Sequence, residues 1–457
     1  MSLPPVIVGA GPAGVRAAQA LVAHGLRPVV IDEAPRWGGQ IYRQPPAGFT
    51  RPARELYGFE AARAQAVHGA MQGVLDRVDY RPDTLVWGAE AGRLDLLAHG
   101  GIAALPFSRL IVATGATDRV LPFPGWTLPG VYTLGAAQVA LKAQACAIGA
   151  RVVFAGTGPL LYLVAWQYAK AGAQVAAVLD TSRWTDKLAG APAMLRQPAV
   201  LAKGLYYMAW LRAHGVALHQ GVRLVRAEGE GGVQALHYED GQGAHRIECD
   251  AIGFGYALRS ETQLADLLGC RFDFDPLQQA ALPARDAAGR SSVAGVYLAG
   301  DGAGIQGADA AEWAGERAAL ALLADDGVAV DAARAQALEA KLARVAAFRR
   351  GLERAFPLPA GWAAQAPDEL VVCRCEEITA GELRACVRDS GAQEMNRLKA
   401  LTRVGMGRCQ GRMCGFAASQ LLAHACGADA ASVGRLRGQA PVKPLPIAVL
   451  AAEGGSP

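Results

Sequence analysis

The sequence predicts an α/β protein: two Rossmann-like dinucleotide-binding units, followed by a small helical domain built around paired cysteines. Three observations carry this. A strand, a glycine turn, a helix and a second strand occur twice, in "PVIVGAGPAGVRAAQALVAHGLRPVVIDEA" and "RVVFAGTGPLLYLVAWQYAKAGAQVAAVLD". The first glycines of the two copies, Gly9 and Gly156, lie far enough apart for a whole domain to intervene. Four of the nine cysteines fall into two close pairs, Cys373 with Cys375 and Cys409 with Cys414.

Length and charge narrow the class. A chain of 457 residues is long enough for about three domains, each with its own core. Its net charge of +4 is spread over 45 basic and 41 acidic residues without a basic block, which sets nucleic acid aside. The start, "MSLPPVIVGAG", has no charged leader or cleavage site, and no apolar stretch reaches about 18 residues without a charge. Cytoplasmic residence without a membrane span is expected. Cys146, Cys249, Cys270, Cys386 and Cys426 lie scattered among apolar residues and read as buried free thiols of a reducing compartment.

The expected division is 1–145 with 255–330 as the first unit and 146–254 as the second. A helical linker over 331–370 and a cysteine-bearing domain over 371–457 follow. In the first unit Gly9, Gly11 and Gly14 match GxGxxG after the strand Val6 to Val8 and before a helix closed by Gly25. The first glycine permits the turn, the second lets a pyrophosphate reach the backbone, and the third lets helix and strand pack closely. The helix N-terminus then attracts the anion. Asp32 and Glu33 end the next strand about 20 residues beyond the turn, where a ribose hydroxyl is accepted. Strand register decides between them, so both are carried.

The second copy, "AGTGPLLY", keeps Gly156 and Gly158 but has Leu161 where the third glycine belongs. The bulky side chain disfavours a standard NAD pyrophosphate site. Asp180 ends the following strand and suits an unphosphorylated ribose, so NAD or another adenine nucleotide is the expected ligand if one binds. Beyond it Tyr206, Tyr207 and Trp210 cluster on a helix, read as packed on its own domain rather than against a partner protein or membrane surface.

Four motifs, "GAGPAG" again with "GGQ" at Gly38 to Gln40, "VATGA" at Val112 to Ala116 and "GVYLAGDGA" at Gly295 to Ala303, come in an order that resembles the two-dinucleotide flavoprotein superfamily of thioredoxin reductase and lipoamide dehydrogenase. The resemblance implies FAD held by Gly9, Gly11, Pro12, Ala13 and Gly14, by Asp32 or Glu33, and by Gly39, Gln40 and Arg43. Ala113, Thr114 and Gly115 at the crossover turn join them, with Gly300 and Asp301 at the late GD motif. The cysteine pair of the disulfide reductases is missing: "GGQIYRQPPAGF" contains none.

Both C-terminal cysteine pairs sit at or just before predicted helix starts. Thr379 and Glu382 have capping-box spacing, and "CGFAASQLLAHACG" opens a helix at Cys414 that closes near Gly427. Helix starts favour bound negative charge, which suits a 2Fe-2S cluster on four thiolates. Zinc is the competitor. The segment resembles the bacterioferritin-associated ferredoxin type of 2Fe-2S domain, but four residues, "QGRM", separate Cys409 from Cys414 where that type has two. With "CRCEE" and "GGQIYR", "GMGRCQGRMCG" resembles the larger flavoprotein subunits of opine oxidases, D-hydroxyproline and related amino-acid dehydrogenases, and hydrogen cyanide synthase.

That resemblance implies an FAD-dependent oxidoreductase of hetero-oligomeric type, with a cluster ligated by Cys373, Cys375, Cys409 and Cys414 and a role in electron transfer. The implied partner is a second, substrate-oxidising flavoprotein subunit that acts on a CH–NH or CH–NH2 donor, and a small third subunit stays open. No catalytic residue is assigned. Arg43, Arg119 and Arg259 are candidates for a carboxylate clamp, but no motif specifies one. The alternatives are a self-contained NAD(P)H-dependent flavin reductase feeding an external acceptor, and a hydrogen cyanide synthase subunit.

Overall fold

The computed structural model describes residues 3–46, 48–49 and 51–449. Its first unit is a five-stranded sheet ordered Val296–Leu298, Leu110–Val112, Val6–Val8, Val29–Ile31, Asp79–Arg81, all parallel. The four strands from Val296–Leu298 to Val29–Ile31 are buried on both faces, as runs of valine, leucine and isoleucine require in a parallel sheet. Val6–Val8 lies in the middle, and the chain moves to Val29–Ile31 on one side and Leu110–Val112 on the other. The glycine turn after Val8 therefore opens at a topological switch point, where such sheets bind ligands.

The helix Pro12–Ala23 runs against Ala308–Asp325. Gly315 is what lets them touch: a Cβ there would lie 1.9 Å from the Ala13 carbonyl oxygen. An antiparallel meander, Thr84–Glu90, Arg93–Ala98 and Gly101–Pro106, completes this unit.

The second unit repeats the plan, with a parallel sheet ordered Ala217–Gln220, Gln174–Asp180, Arg151–Thr157, Ala251–Tyr256, Val131–Thr133 and a meander of its own. Its sheet reaches back to Val131 and on to Tyr256, beyond the expected limits of 146 and 254, because Val131–Thr133 pairs with Ala251–Tyr256 at the edge. The chain leaves the first unit through Ala116–Asp118 and returns through Leu258–Ser260, and these two strands pair antiparallel as a ribbon. Tyr207 is buried, and Tyr206 stacks edge-on against Phe59 of the first unit at 5.0 Å, so the aromatic helix closes onto its own chain.

The segment 331–370 is helical but is no loose connector. Its helix Ala332–Ala355 lies along Trp184–Met194 at a glycine crossing, where a Cβ on Gly190 would come within 2.4 Å of the Gly351 oxygen. The C-terminal domain has a small hairpin, Val371–Cys373 with Ile378–Thr379, and helices Ala380–Ser390, Met395–Thr402 and Gly415–Ala425. Its core is continuous with that of the second unit: Leu370, Val372, Phe416 and Leu421 share one buried cluster with Phe123, Trp126 and Phe254. Each such side chain is worth about 1.5–3 kcal/mol of burial, which fixes the domain against the rest. Trp126 and Trp362 add indole hydrogen bonds to the carbonyls of Val371 (2.7 Å) and Pro122 (2.9 Å). Among the scattered cysteines only Cys249 and Cys270 are buried; Cys386 and Cys426 are half-buried, and Cys146 is exposed because the loop after its helix turns outward.

Candidate functional site

At the first turn Gly9 adopts φ +104°, and a Cβ there would strike the Ala113 oxygen at 2.3 Å. A Cβ on Gly14 would meet the Gly9 oxygen at 1.8 Å. Gly39 packs its backbone on Gly11, and Gly300, at φ +70°, sits against Ala13. Pro12 opens the helix, which has no side-chain cap, so its first N–H groups are left for a ligand.

The two acids part company. Asp32 accepts from Ala10 N at 2.5 Å and from Ala34 N at 2.7 Å, which turns its carboxylate onto the glycine turn. Burial raises its pKa, opposed by those two N–H groups. Glu33 is exposed and pairs with Lys443 of the C-terminal segment. Arg43 donates to Gln40 Oε1 at 2.8 Å, while its buried Nε meets no protein acceptor. Asp301 Oδ1 accepts from Gln306 N and Gly307 N, ordering the loop that opens the long helix after it. Gly115, at φ +72°, faces open space. A glycine cradle, a free helix start and unpartnered buried polar atoms at Arg43, Thr117 and Ser260 fit a large polar cofactor such as FAD.

The four C-terminal thiols come together. Cys414 Sγ contacts the sulfurs of Cys373 and Cys409, and Cys409 contacts Cys375. Contact with Cys414 lowers the Cys373 pKa to about 6, against burial and helped by backbone N–H groups of Gly405, Glu376 and Cys375. Cys409 falls to about 5 for the same first reason, with N–H groups of Met413 and Gly411 assisting. Cys414 is pushed up by its two thiol neighbours, and burial raises Cys375. Among the described residues no three His, Cys, Asp or Glu side chains grip a single ion. The four thiols form one group with backbone N–H donors directed at it, a donor set that would hold a 2Fe-2S cluster. The capping box at Thr379 is formed, with Thr379 N donating to Glu382 Oε2 at 2.7 Å and Glu382 N to Thr379 Oγ1 at 3.2 Å. Cys414 is the residue before the helix Gly415–Ala425.

These two sites touch through Glu261. Thr114 Oγ1 donates to the Glu261 carbonyl (2.7 Å), and Glu261 N donates to the Gly115 carbonyl (2.9 Å). The Glu261 carboxylate receives Arg412, inside "CQGRMC", at 2.7 Å, with both side chains nearly buried. Burial alone would raise the Glu261 carboxyl, but Arg412 and Arg259 hold it below its ordinary value. Arg435 makes a second tie as a fork onto Asp266 at 2.6 Å. Sequence reading misses Glu261 because it lies in no motif; only the ribbon Ala116–Asp118 with Leu258–Ser260 brings it beside Thr114. Arg119 and Arg259 turn toward the cysteine domain, not into a substrate pocket.

The second glycine turn is different. Asp180 is fully buried and wholly engaged: it accepts from Tyr162 OH (2.6 Å), Lys187 Nζ (2.8 Å), Ser182 N (2.9 Å) and Ser182 Oγ (2.7 Å). Leu161 is buried in the helix–sheet core. The expectation that Asp180 would receive a ribose fails, because Lys187 and Tyr162 consume the carboxylate the ribose needs.

The pyridine nucleotide-disulphide oxidoreductase family model matches residues 4–315. The chain belongs to that family. A BFD-like [2Fe-2S] binding domain matches residues 371–424 of this oxidoreductase. The A subunit of opine oxidase from Agrobacterium tumefaciens (strain Ach5) is 37% identical, the match covering 98% of this chain and 91% of that one. The HcnB subunit of hydrogen cyanide synthase from Pseudomonas protegens is 36% identical, covering 98% and 97%. Among solved structures, L-proline dehydrogenase from P. horikoshii superposes with a TM-score of 0.72 at 18% identity, covering 98% of this chain and 79% of that one, a likeness of fold. The oxidoreductase is thus a flavoprotein with FAD and a 2Fe-2S cluster as its cofactors. Among its described residues no helix is long and apolar enough to cross a membrane.

Proposed function

We propose that this oxidoreductase is the electron-relay subunit of a hetero-oligomeric dehydrogenase for an amino acid, opine or related secondary amine. A partner flavoprotein oxidises the substrate, and a cytoplasmic setting accords with nine cysteines none of which forms a disulfide among the described residues. The observation that carries the reading is the Glu261 bridge, which joins the flavin-side turn at Thr114 and Gly115 to the cysteine loop at Arg412. When bound, FAD and the cluster supply exchange between two-electron and one-electron transfer.

The chain's own residues supply the rest. Gly9, Gly11 and the start of the helix Pro12–Ala23 receive the pyrophosphate, and Asp32, rather than Glu33, faces the ribose. Arg43, Gly115, Gly300 and Asp301 border the remainder of the cofactor. Cys373, Cys375, Cys409 and Cys414 are the cluster ligands. The apolar wall of Trp126, Phe254 and Phe416 keeps water from the junction between the domains.

Co-purification with the partner, followed by flavin and iron analysis and electron paramagnetic resonance of the reduced sample, tests the relay. Stoichiometric zinc with no iron signal refutes it, as does amino-acid oxidation by this chain alone. The rival reading, a self-contained NAD(P)H reductase, is disfavoured by the occupied Asp180. Rapid flavin bleaching on anaerobic mixing with NADH would restore it.

A further inference from the structure

The inner face of the cysteine loop is lined by arginine. Arg259, on the returning strand Leu258–Ser260, donates from Nη1 to the carbonyls of Gly411 and Arg412, each at 3.3 Å. Arg412 donates in turn to the carbonyls of Val442 (2.7 Å) and Cys409 (3.4 Å). Arg119, 2% exposed, donates to the Leu258 carbonyl and lies 5.1 Å over the ring of Phe416, two residues beyond Cys414. Glu261 is the carboxylate that touches this group, and Arg412 takes both its oxygens. Glu353 acts on Arg119 from farther off and is itself paired with Arg349. Among the described residues Arg259 forms no ion pair of its own; it shares Glu261 with Arg412, two guanidinium groups against one carboxylate, and its charge also acts on Cys414 and Cys409.

Arg259 and Gln263 also set the direction of the loop's peptides. With the Arg412 carbonyl drawn toward Arg259 and the Gln410 carbonyl held by Gln263 Nε2 at 2.6 Å, the N–H groups of Met413 and Gly411 in those two peptides point at the Cys409 sulfur. One-electron reduction of a cluster on four thiolates adds a unit of negative charge and makes or breaks no bond. A nearby buried cation and N–H donors on sulfur favour the reduced form.

We propose that Arg259 is a positioning residue that raises the reduction potential of the cluster, by setting behind the loop 409–414 a charge that Glu261, shared with Arg412, offsets only in part, and by fixing the orientation of the loop's peptides. This makes the cluster a better acceptor for electrons arriving from the flavin side. The inference rests on the assignment of Cys373, Cys375, Cys409 and Cys414 as ligands.

The test is a dithionite titration, followed by electron paramagnetic resonance, of the full chain with both cofactors. In R259Q the equilibrium constant for one-electron reduction falls about tenfold, about 59 mV lower. In E261Q it rises by a similar factor, because the one neutralising carboxylate is gone. Opposite directions separate this from simple loosening of the loop, which moves both variants the same way. An unchanged potential in R259Q, or shifts of the same sign, overturns the proposal. If R259Q does not retain its cluster, E261Q decides alone, and the absence of an upward shift overturns it. Iron content and the reduced signal of the unaltered chain report separately on the ligand assignment.

Discussion

Replacing Asp32 by alanine separates the two acids that the sequence left open. In the fold Asp32 holds Ala10 N, in the glycine turn, at 2.5 Å and Ala34 N, two residues beyond itself, at 2.7 Å. Bonds to a charged acceptor are worth about 1.5–3 kcal/mol each, and the substitution leaves two donors unsatisfied, one in the glycine turn and one in the loop that follows the second strand. A loss of about 3 kcal/mol in the ordered turn, felt entirely on binding, weakens FAD by roughly a hundredfold, since about 1.4 kcal/mol is tenfold. Glu33→Ala removes only an exposed pair with Lys443 and costs about 0–1 kcal/mol. The assay is FAD titration of the deflavinated protein, read by quenching of flavin fluorescence. Retention of FAD by D32A, with loss from E33A, refutes the reasoning and gives the ribose to Glu33.

Lys142 is 2% exposed, bonds the Ile41 carbonyl at 3.0 Å, and has its pKa pulled down from 10.5 to about 7 by burial. The unfolded chain therefore binds a proton that the folded chain lacks between pH 7 and 10.5, so stability rises with pH across that window, by on the order of 5 kcal/mol. Lys142→Met, which abolishes this titration, flattens the rise, and thermal melts at pH 6.5 and pH 10 check it; an unaltered pH dependence counts against the buried charge. Phe416→Ala, in the core shared by the cysteine domain and the second unit, costs about 3–5 kcal/mol and lowers the denaturant midpoint of cluster loss, followed by visible absorbance. Thr379→Ala removes one half of the capping box and costs about 1 kcal/mol, visible as a small fall in the same midpoint. NADH added anaerobically leaves the flavin oxidised, because Asp180 is already taken by Tyr162, Lys187 and Ser182; bleaching within the mixing time contradicts that account.

Local patterning made much of the molecule readable. The valine and isoleucine run followed by GxGxxG forms a buried parallel strand and an uncapped helix, because strand burial and glycine conformation are set largely by near neighbours. The helix ends at Gly25 and Gly172, both with positive φ, and the capping box at Thr379 were legible for the same reason. The cysteine spacing marked the four thiols that the fold brings into contact.

What the sequence by itself determined, then, was the repeated dinucleotide unit, the first glycine cradle and the cysteine set, each encoded within a few dozen residues. Only the tertiary structure turned Asp32 onto the glycine turn and left Glu33 exposed against Lys443, locked Asp180 internally, and made the Glu261 link between the Thr114 turn and the cysteine loop. Asp180 is silenced by Lys187, one helix further on, and Glu261 meets Thr114 only because the outgoing and returning strands pair. Such contacts depend on how side chains converge in the folded chain, whether seven residues apart as at Asp180 or 147 apart as at Glu261, and the residues that make them carry no local mark of their partners.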